Sequence, residues 1–130
     1  MISGLGTDII EIERVRKAVS KKNFKDNVFT ETEQAYCESR GKNSAASYAA
    51  RFAAKEAFFK ALGTGIITRL TDVEIVNDER GAPKINLRGK ALALAESKKI
   101  SLSLSHSREF ATAICIIESN TALNNRTEKS

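Results

Sequence analysis

Residues 45–62 form the longest stretch of this chain that fits one secondary structure, and that stretch is apolar on almost every side. Ala45, Ala46, Ala49, Ala50, Ala53, Ala54 and Ala57 alternate with Phe52, Phe58 and Phe59. Alanine is the strongest helix former, so the segment reads as one long helix. Ser44 is placed to cap its start, and Gly63 stands where a C′ glycine ends a helix. A helix that is apolar all round has to be buried, so the remainder of the chain must enclose it. At 130 residues there is enough chain for one core and too little for two domains.

The flanking segments supply the enclosure. MISGLGTDIIEI has the β-branched content of a strand, loosened at its start by Gly4 and Gly6, and ERVRKAVSKK follows as a short basic helix. Thr30 and Glu33 form a capping box for a helix through FTETEQAYCESR that stops at Gly41. LTDVEIVND and ERGAPKINL predict a hairpin, and Arg88 to Lys99 a further helix. ISLSLSHS alternates strictly, and FATAICIIE is a nearly continuous apolar strand. This order predicts an α+β domain over residues 1–118, a mainly antiparallel sheet wrapped around one long helix. The polar stretch 119–130 is expected to be a disordered tail.

Composition narrows the function. The net charge of +5 favours an anionic partner, whether phosphorylated ligand, acidic protein or nucleic acid. The longest apolar run, near Ala111 to Ile117, is far too short to span a membrane. The N-terminus has acids at Asp8, Glu11 and Glu13 and lacks the pattern of a signal peptide, which predicts a cytoplasmic protein. Cys37 and Cys115 are widely separated and share no metal-type spacing with His106, the single histidine; two buried free thiols are expected.

The long helix carries charge where little polar face exists. Glu56 and Lys60 lie one turn apart, and Lys55 precedes them. An ion pair on a solvated edge is the ordinary reading, but the flanking alanines and phenylalanines make an uncompensated pair costly. A metal ion for Glu56 and a phosphate for Lys60 would compensate it. Asp8, in an otherwise apolar strand, offers a second carboxylate, and two carboxylates with few other ligands are the coordination style of Mg²⁺. Gly63-Thr64-Gly65 follows the helix instead of opening one, so it is no Walker or Rossmann loop, although its glycines can expose N–H groups to a phosphate. His106, among Ser105, Ser107 and Arg108, belongs to a cluster of donors suited to a phosphate. The residues thus point to Mg²⁺-dependent handling of a phosphate and leave the substrate open.

Taken in order, four segments resemble the short, holo-acyl-carrier-protein synthase type of 4′-phosphopantetheinyl transferase. They are GLGTDIIEIERV, RFAAKEAFFKALGTG, ERGAPKINLRGKA and SLSLSHSREFATAICIIE, spanning Met1 to about Glu118. The resemblance implies the 4′-phosphopantetheinyl transferase fold. It also implies transfer of the phosphopantetheine arm of coenzyme A to a serine of apo acyl carrier protein, with release of 3′,5′-ADP, for fatty acid biosynthesis. Asp8 and Glu56 would hold Mg²⁺. Glu56, or a water it orients, would help to deprotonate the serine, and Lys60 would neutralise the leaving phosphate. Lys55, Gly63 and Gly65 would line the coenzyme's phosphates, and His106 with Arg51 would meet the 3′-phosphate. Arg14, Arg16 and Lys17 would dock the acidic carrier. A homotrimer with sites at subunit interfaces is implied by analogy. The competing readings are a small basic nucleic-acid-binding module, which would want exposed aromatics among its basic residues, and a catalytically idle oligomeric scaffold.

Overall fold

A computed structural model describes residues 1–119. The chain runs β1 (Ile2–Glu11), α1 (Ile12–Val19), α2 (Lys22–Val28), α3 (Glu31–Glu38), α4 (Ser44–Leu62), β2 (Val73–Asn77), β3 (Pro83–Leu87), α5 (Gly89–Leu94), β4 (Lys98–His106) and β5 (Phe110–Ser119). All strand pairs are antiparallel. β1, β5 and β4 form a three-stranded sheet in that order, and β2 pairs with β3 as a separate hairpin. The expected α+β architecture is present, with α4 lying across one face of the larger sheet.

The buried residues of α4 are mainly alanines, and Phe58 and Phe59 fill the core beside Ile75, Cys115 and Ile117. Alanines alone would leave a gap between helix and sheet, and the sheet closes it with glycine. Gly4, Gly6, Asp8 and Ile10 share one face of β1, the face turned to α4. A Cβ on Gly6 would lie 2.0 Å from the Ala57 carbonyl oxygen, and one on Gly4 2.0 Å from that of Ala61. Helix and strand backbones therefore touch directly, a role that loosening of the strand start does not capture.

Several local expectations change. The start of α4 is preceded by a 3₁₀ turn at Gly41–Asn43, so Asn43 takes the N-cap position and Ser44 is already helical. Gly63 ends α4 in the left-handed region at φ 79°, as expected. Thr30 and Glu33 do form the capping box of α3. The segment Lys22–Val28, for which no element was expected, is helical because Phe24 and Val28, one turn apart, pack inward. The helix expected to reach Lys99 stops at Leu94; Ser97 adopts φ 65° and Lys98 already pairs with Ser119. The tail expected from residue 119 loses Ser119 to β5, and the rest of it lies outside the described residues. Cys37 and Cys115 are free and buried, and burial pushes both thiols up to about 12. Among the described residues no helix is long and apolar enough to cross a membrane.

Gly6→Ala should destabilise the fold by at least about 3 kcal/mol, because the contact it creates is with helix backbone, which cannot rotate away. Urea unfolding followed by circular dichroism checks this; a midpoint within error of the unmodified protein would show that the approach of β1 to α4 is looser than described.

Candidate active site

The glycine row of β1 also builds the site. Because Gly4 and Gly6 hold α4 close, the next residue on that face, Asp8, arrives beside the polar edge of the helix. Lys60 Nζ donates to Asp8 Oδ1 and to the Thr7 carbonyl, both at 3.0 Å. Lys60 thus reaches across to the strand instead of pairing along its own helix with Glu56. Its side chain is 54% exposed and that of Asp8 16%, so the ammonium stays available to a ligand while the carboxylate is held in place.

Asp8, Glu56 and Lys60 line one open cleft of about 500 Å³. Arg14 of α1 joins them at the rim. Ile10, Val15, Phe24 and Phe52 make an apolar wall beside the charged groups. The carboxyl of Glu56 is pushed above the usual glutamate range, first by burial against this wall and then by the nearby charge of Asp8, with Lys60 acting in the opposite sense. Two carboxylates that repel each other in a half-dry cleft suit a divalent cation, which would relieve both effects. Among the described residues no group of three or more His, Cys, Asp or Glu side chains is arranged to hold a metal ion. A hard cation bound by these two oxygens would keep water or substrate oxygens in its remaining positions, as Mg²⁺ does.

The other expected residues divide. Lys55 does not line the cleft. Its side chain is fully buried, its ammonium donating to Glu33 Oε1 at 2.8 Å and to the Leu70 carbonyl at 2.9 Å. Burial pushes its pKa down while Glu33 pulls it back up. The expectation that it meets a phosphate is therefore corrected: successive helix residues point about 100° apart, and Glu56 takes the outward direction. Gly63 and Gly65, at φ 79° and 68°, lie in the turn beyond the last residue of α4 that lines the cleft. Arg14, Arg16 and Lys17 are all exposed on α1. Arg14 faces the cleft, whereas Arg16 pairs with Glu13 and borders a pocket with His106, Arg108 and Lys42.

Arg51 and His106 meet in a separate pocket of about 200 Å³ that shares no lining residue with the cleft. Arg51 is buried, its guanidinium 4.2 Å from the Tyr36 ring centroid and one Nη donating to Asn77 at 2.5 Å. Its Nε–H is buried without a partner among the described residues. Arg40 lies in the same pocket. Sequence reasoning missed Tyr36, Arg40 and Asn77, because only the fold brings α3, α4 and β2 together there.

With this geometry in place, comparison with known proteins is specific. Residues 4–115 match the family profile of the 4′-phosphopantetheinyl transferase superfamily. A holo-[acyl-carrier-protein] synthase of Fusobacterium nucleatum is 47% identical over 122 residues, covering 90% of this chain and 99% of the relative. One from Chlamydia muridarum is 50% identical over 119 residues, covering 88% and 94%. A crystal structure of the Bacillus anthracis holo-(acyl-carrier-protein) synthase, in complex with CoA (3′,5′-ADP), superposes with a TM-score of 0.78 at 38% identity, covering 92% of this chain and 98% of that one. The chain belongs to the 4′-phosphopantetheinyl transferase superfamily. Within it, the near-complete coverage of these relatives makes the chain an enzyme of the short, holo-[acyl-carrier-protein] synthase type.

In metal-free protein, the raised pKa of Glu56 has a consequence for stability. The unfolded glutamate loses its proton near its ordinary value of 4.5 while the folded one still holds it. Folding is therefore disfavoured progressively as pH rises from that value through the higher folded one, and the penalty is complete above it. Glu56→Gln removes the penalty. In the presence of chelator it should raise the melting temperature by about 2 °C at pH 8 and leave it unchanged near pH 4, as differential scanning calorimetry would show. An equal gain at both pH values would refute the assigned cause.

Proposed function

We propose that this enzyme transfers the 4′-phosphopantetheine moiety of coenzyme A to a serine of apo acyl carrier protein, with Mg²⁺ held by Asp8 and Glu56. The observation that carries this reading is the meeting of Asp8, Glu56, Lys60 and Arg14 in one cleft, in a chain of this family. The serine oxygen attacks the phosphorus that bears the pantetheine arm, a new P–O bond forms, and the pyrophosphate bridge breaks to release 3′,5′-ADP. Glu56, or a water it orients, would accept the serine proton, since its carboxylate lines the cleft beside Asp8 and Lys60. Lys60, anchored by Thr7 and Asp8 yet half-exposed, stabilises the charge that builds on the leaving phosphate. When bound, Mg²⁺ supplies charge neutralisation at the pyrophosphate. Arg14 and Lys17, one turn apart on α1, give an acidic carrier a place to dock beside the cleft.

The 3′-phosphate of the coenzyme fits the second pocket. Arg40, Arg51 and His106 line it together, a basic set suited to a phosphate. Since that pocket shares no lining residue with the cleft, we propose that one coenzyme is held between the cleft of one subunit and the basic pocket of the next, in a homotrimer. The face of the larger sheet that no described element covers supports assembly: Leu5 and Ile9 of β1, Phe110 and Ile114 of β5 are 40–65% exposed. Carrier modification of this kind would serve fatty acid biosynthesis.

Intact-mass analysis of apo acyl carrier protein with coenzyme A and Mg²⁺ should show a phosphopantetheine-sized gain that chelator abolishes; no gain with folded protein and a matched carrier would sink the reading. Glu56→Gln should slow turnover about a thousandfold and Lys60→Ala about a hundredfold. Subunit sharing has its own test. Glu56→Gln and His106→Ala variants, each impaired alone, should recover activity when unfolded and refolded together, because mixed trimers contain some intact interfaces. Failure to recover, with mixed oligomers demonstrated, would place the whole site within one subunit.

A further inference from the structure

Lys55 directly precedes Glu56, yet the transfer makes no use of it. Its ammonium bonds Glu33 Oε1 and the Leu70 carbonyl, and Glu33 is equally buried and occupied on both oxygens. Oε1 also accepts from the Thr30 N–H at 2.9 Å, and Oε2 from the Ile75 N–H at 2.8 Å. One carboxylate therefore joins the first turn of α3, α4 and β2, with the Leu70 turn held through the same ammonium. A buried ion pair is a weak source of stability, since desolvation offsets most of the attraction, so its presence suggests a role in specifying one arrangement.

The composition of α4 shows what needs specifying. Eight of its buried residues are alanines, so few large side chains key its rotation about its own axis: Tyr48, Phe58 and Phe59 do so by packing, and Lys55 adds a charged, directional bond. Gly4 and Gly6 fix how closely α4 approaches β1 on one side. The directional bond of Lys55 fixes the other. With Lys55 anchored toward α3 and β2, Glu56 at about 100° further round is aimed into the cleft. A rotation of about 20° would carry its carboxylate on the order of 2 Å, enough to cost about a hundredfold in rate.

We propose that Lys55 and Glu33 are positioning residues: their buried bond holds α4 in the rotation that presents Glu56, beside Asp8, to the cleft. The proposal rests on the reading of Asp8 and Glu56 as the cation site.

The test is the double variant Lys55→Met/Glu33→Gln, which removes the charges together and keeps the volumes. Its Mn²⁺ affinity, read from the electron paramagnetic resonance signal of the free ion, should fall about tenfold. Its kcat should fall about a hundredfold, with KM for acyl carrier protein unchanged. Ile117→Val, a core change on β5 at a residue that takes no part in this pair's hydrogen bonds, provides a destabilised control and should alter neither. A folded double variant with unmodified Mn²⁺ affinity and kcat overturns the proposal, as does an equal loss in a control of matched melting temperature. Should the double variant fail to fold, Glu33→Gln alone, which retains an acceptor, takes the same measurements with the same expected outcomes. If the unmodified protein transfers nothing, the transferase reading fails, and the Mn²⁺ comparison still decides the positioning role.

Discussion

The direct contact between the backbones of α4 and β1 is the constraint from which the rest follows. Side chains normally hold a helix and a sheet about 10 Å apart; here the Gly4–Ala61 and Gly6–Ala57 contacts leave no room even for a methyl group. That closeness gives α4 a core of alanine instead of leucine, and it brings the polar edge of the helix within hydrogen-bond reach of the strand. Lys60 can touch Thr7 and Asp8 only because the two backbones are so near. The same geometry sets Asp8 close enough for its charge to raise the pKa of Glu56, with apolar Phe52, Phe24 and Val15 beside them. Packing and electrostatics in this site are one arrangement seen at two scales.

Charge in α4 is sorted by direction around the helix axis. Lys55 goes inward to Glu33, Glu56 and Lys60 go to the cleft, and Arg51 goes to Tyr36 and Asn77 on another side. One helix therefore turns charge to the interior, to the cleft and to the separate basic pocket. Lys55 is the most deeply buried of the set, and it is tolerated because the Leu70 carbonyl, the Thr30 amide and the Ile75 amide bond the Lys55–Glu33 pair.

The sequence made the long helix, the hairpin, the last two strands and the Thr30–Glu33 box readable, because each rests on local signals: alanine content, alternation and cap chemistry. Asp8, Glu56 and Lys60 could be singled out because charge in apolar surroundings is costly and so conspicuous. The role of Lys55 could not be read this way. Its position in the helix is equally conspicuous, but only the placement of Glu33, 22 residues away, decides that it turns inward. Gly4 and Gly6 read as weak strand residues, and nothing local reveals the helix that lies against them. Tyr36, Arg40 and Asn77 were invisible for the same reason, α3 and the turn after it meeting the end of β2 only in the folded pocket.

A single helix layer also determines what the chain leaves uncovered. α4 shields one face of the three-stranded sheet, and the described residues contain no second long helix to cover the other. On that face Leu5 sits opposite Ile116, and Ile9 opposite Thr112, whose neighbour across the next strand is Ser105. The apolar residues concentrate on β1 and β5, and serines line β4. Among the described residues, no further element buries this surface. A neighbouring copy would bury it, and would in the same step carry an Arg51–His106 pocket toward a cleft that lacks one. Assembly and completion of the site are then the same event, which is why the proposed trimer and the proposed reaction stand on a shared structural footing.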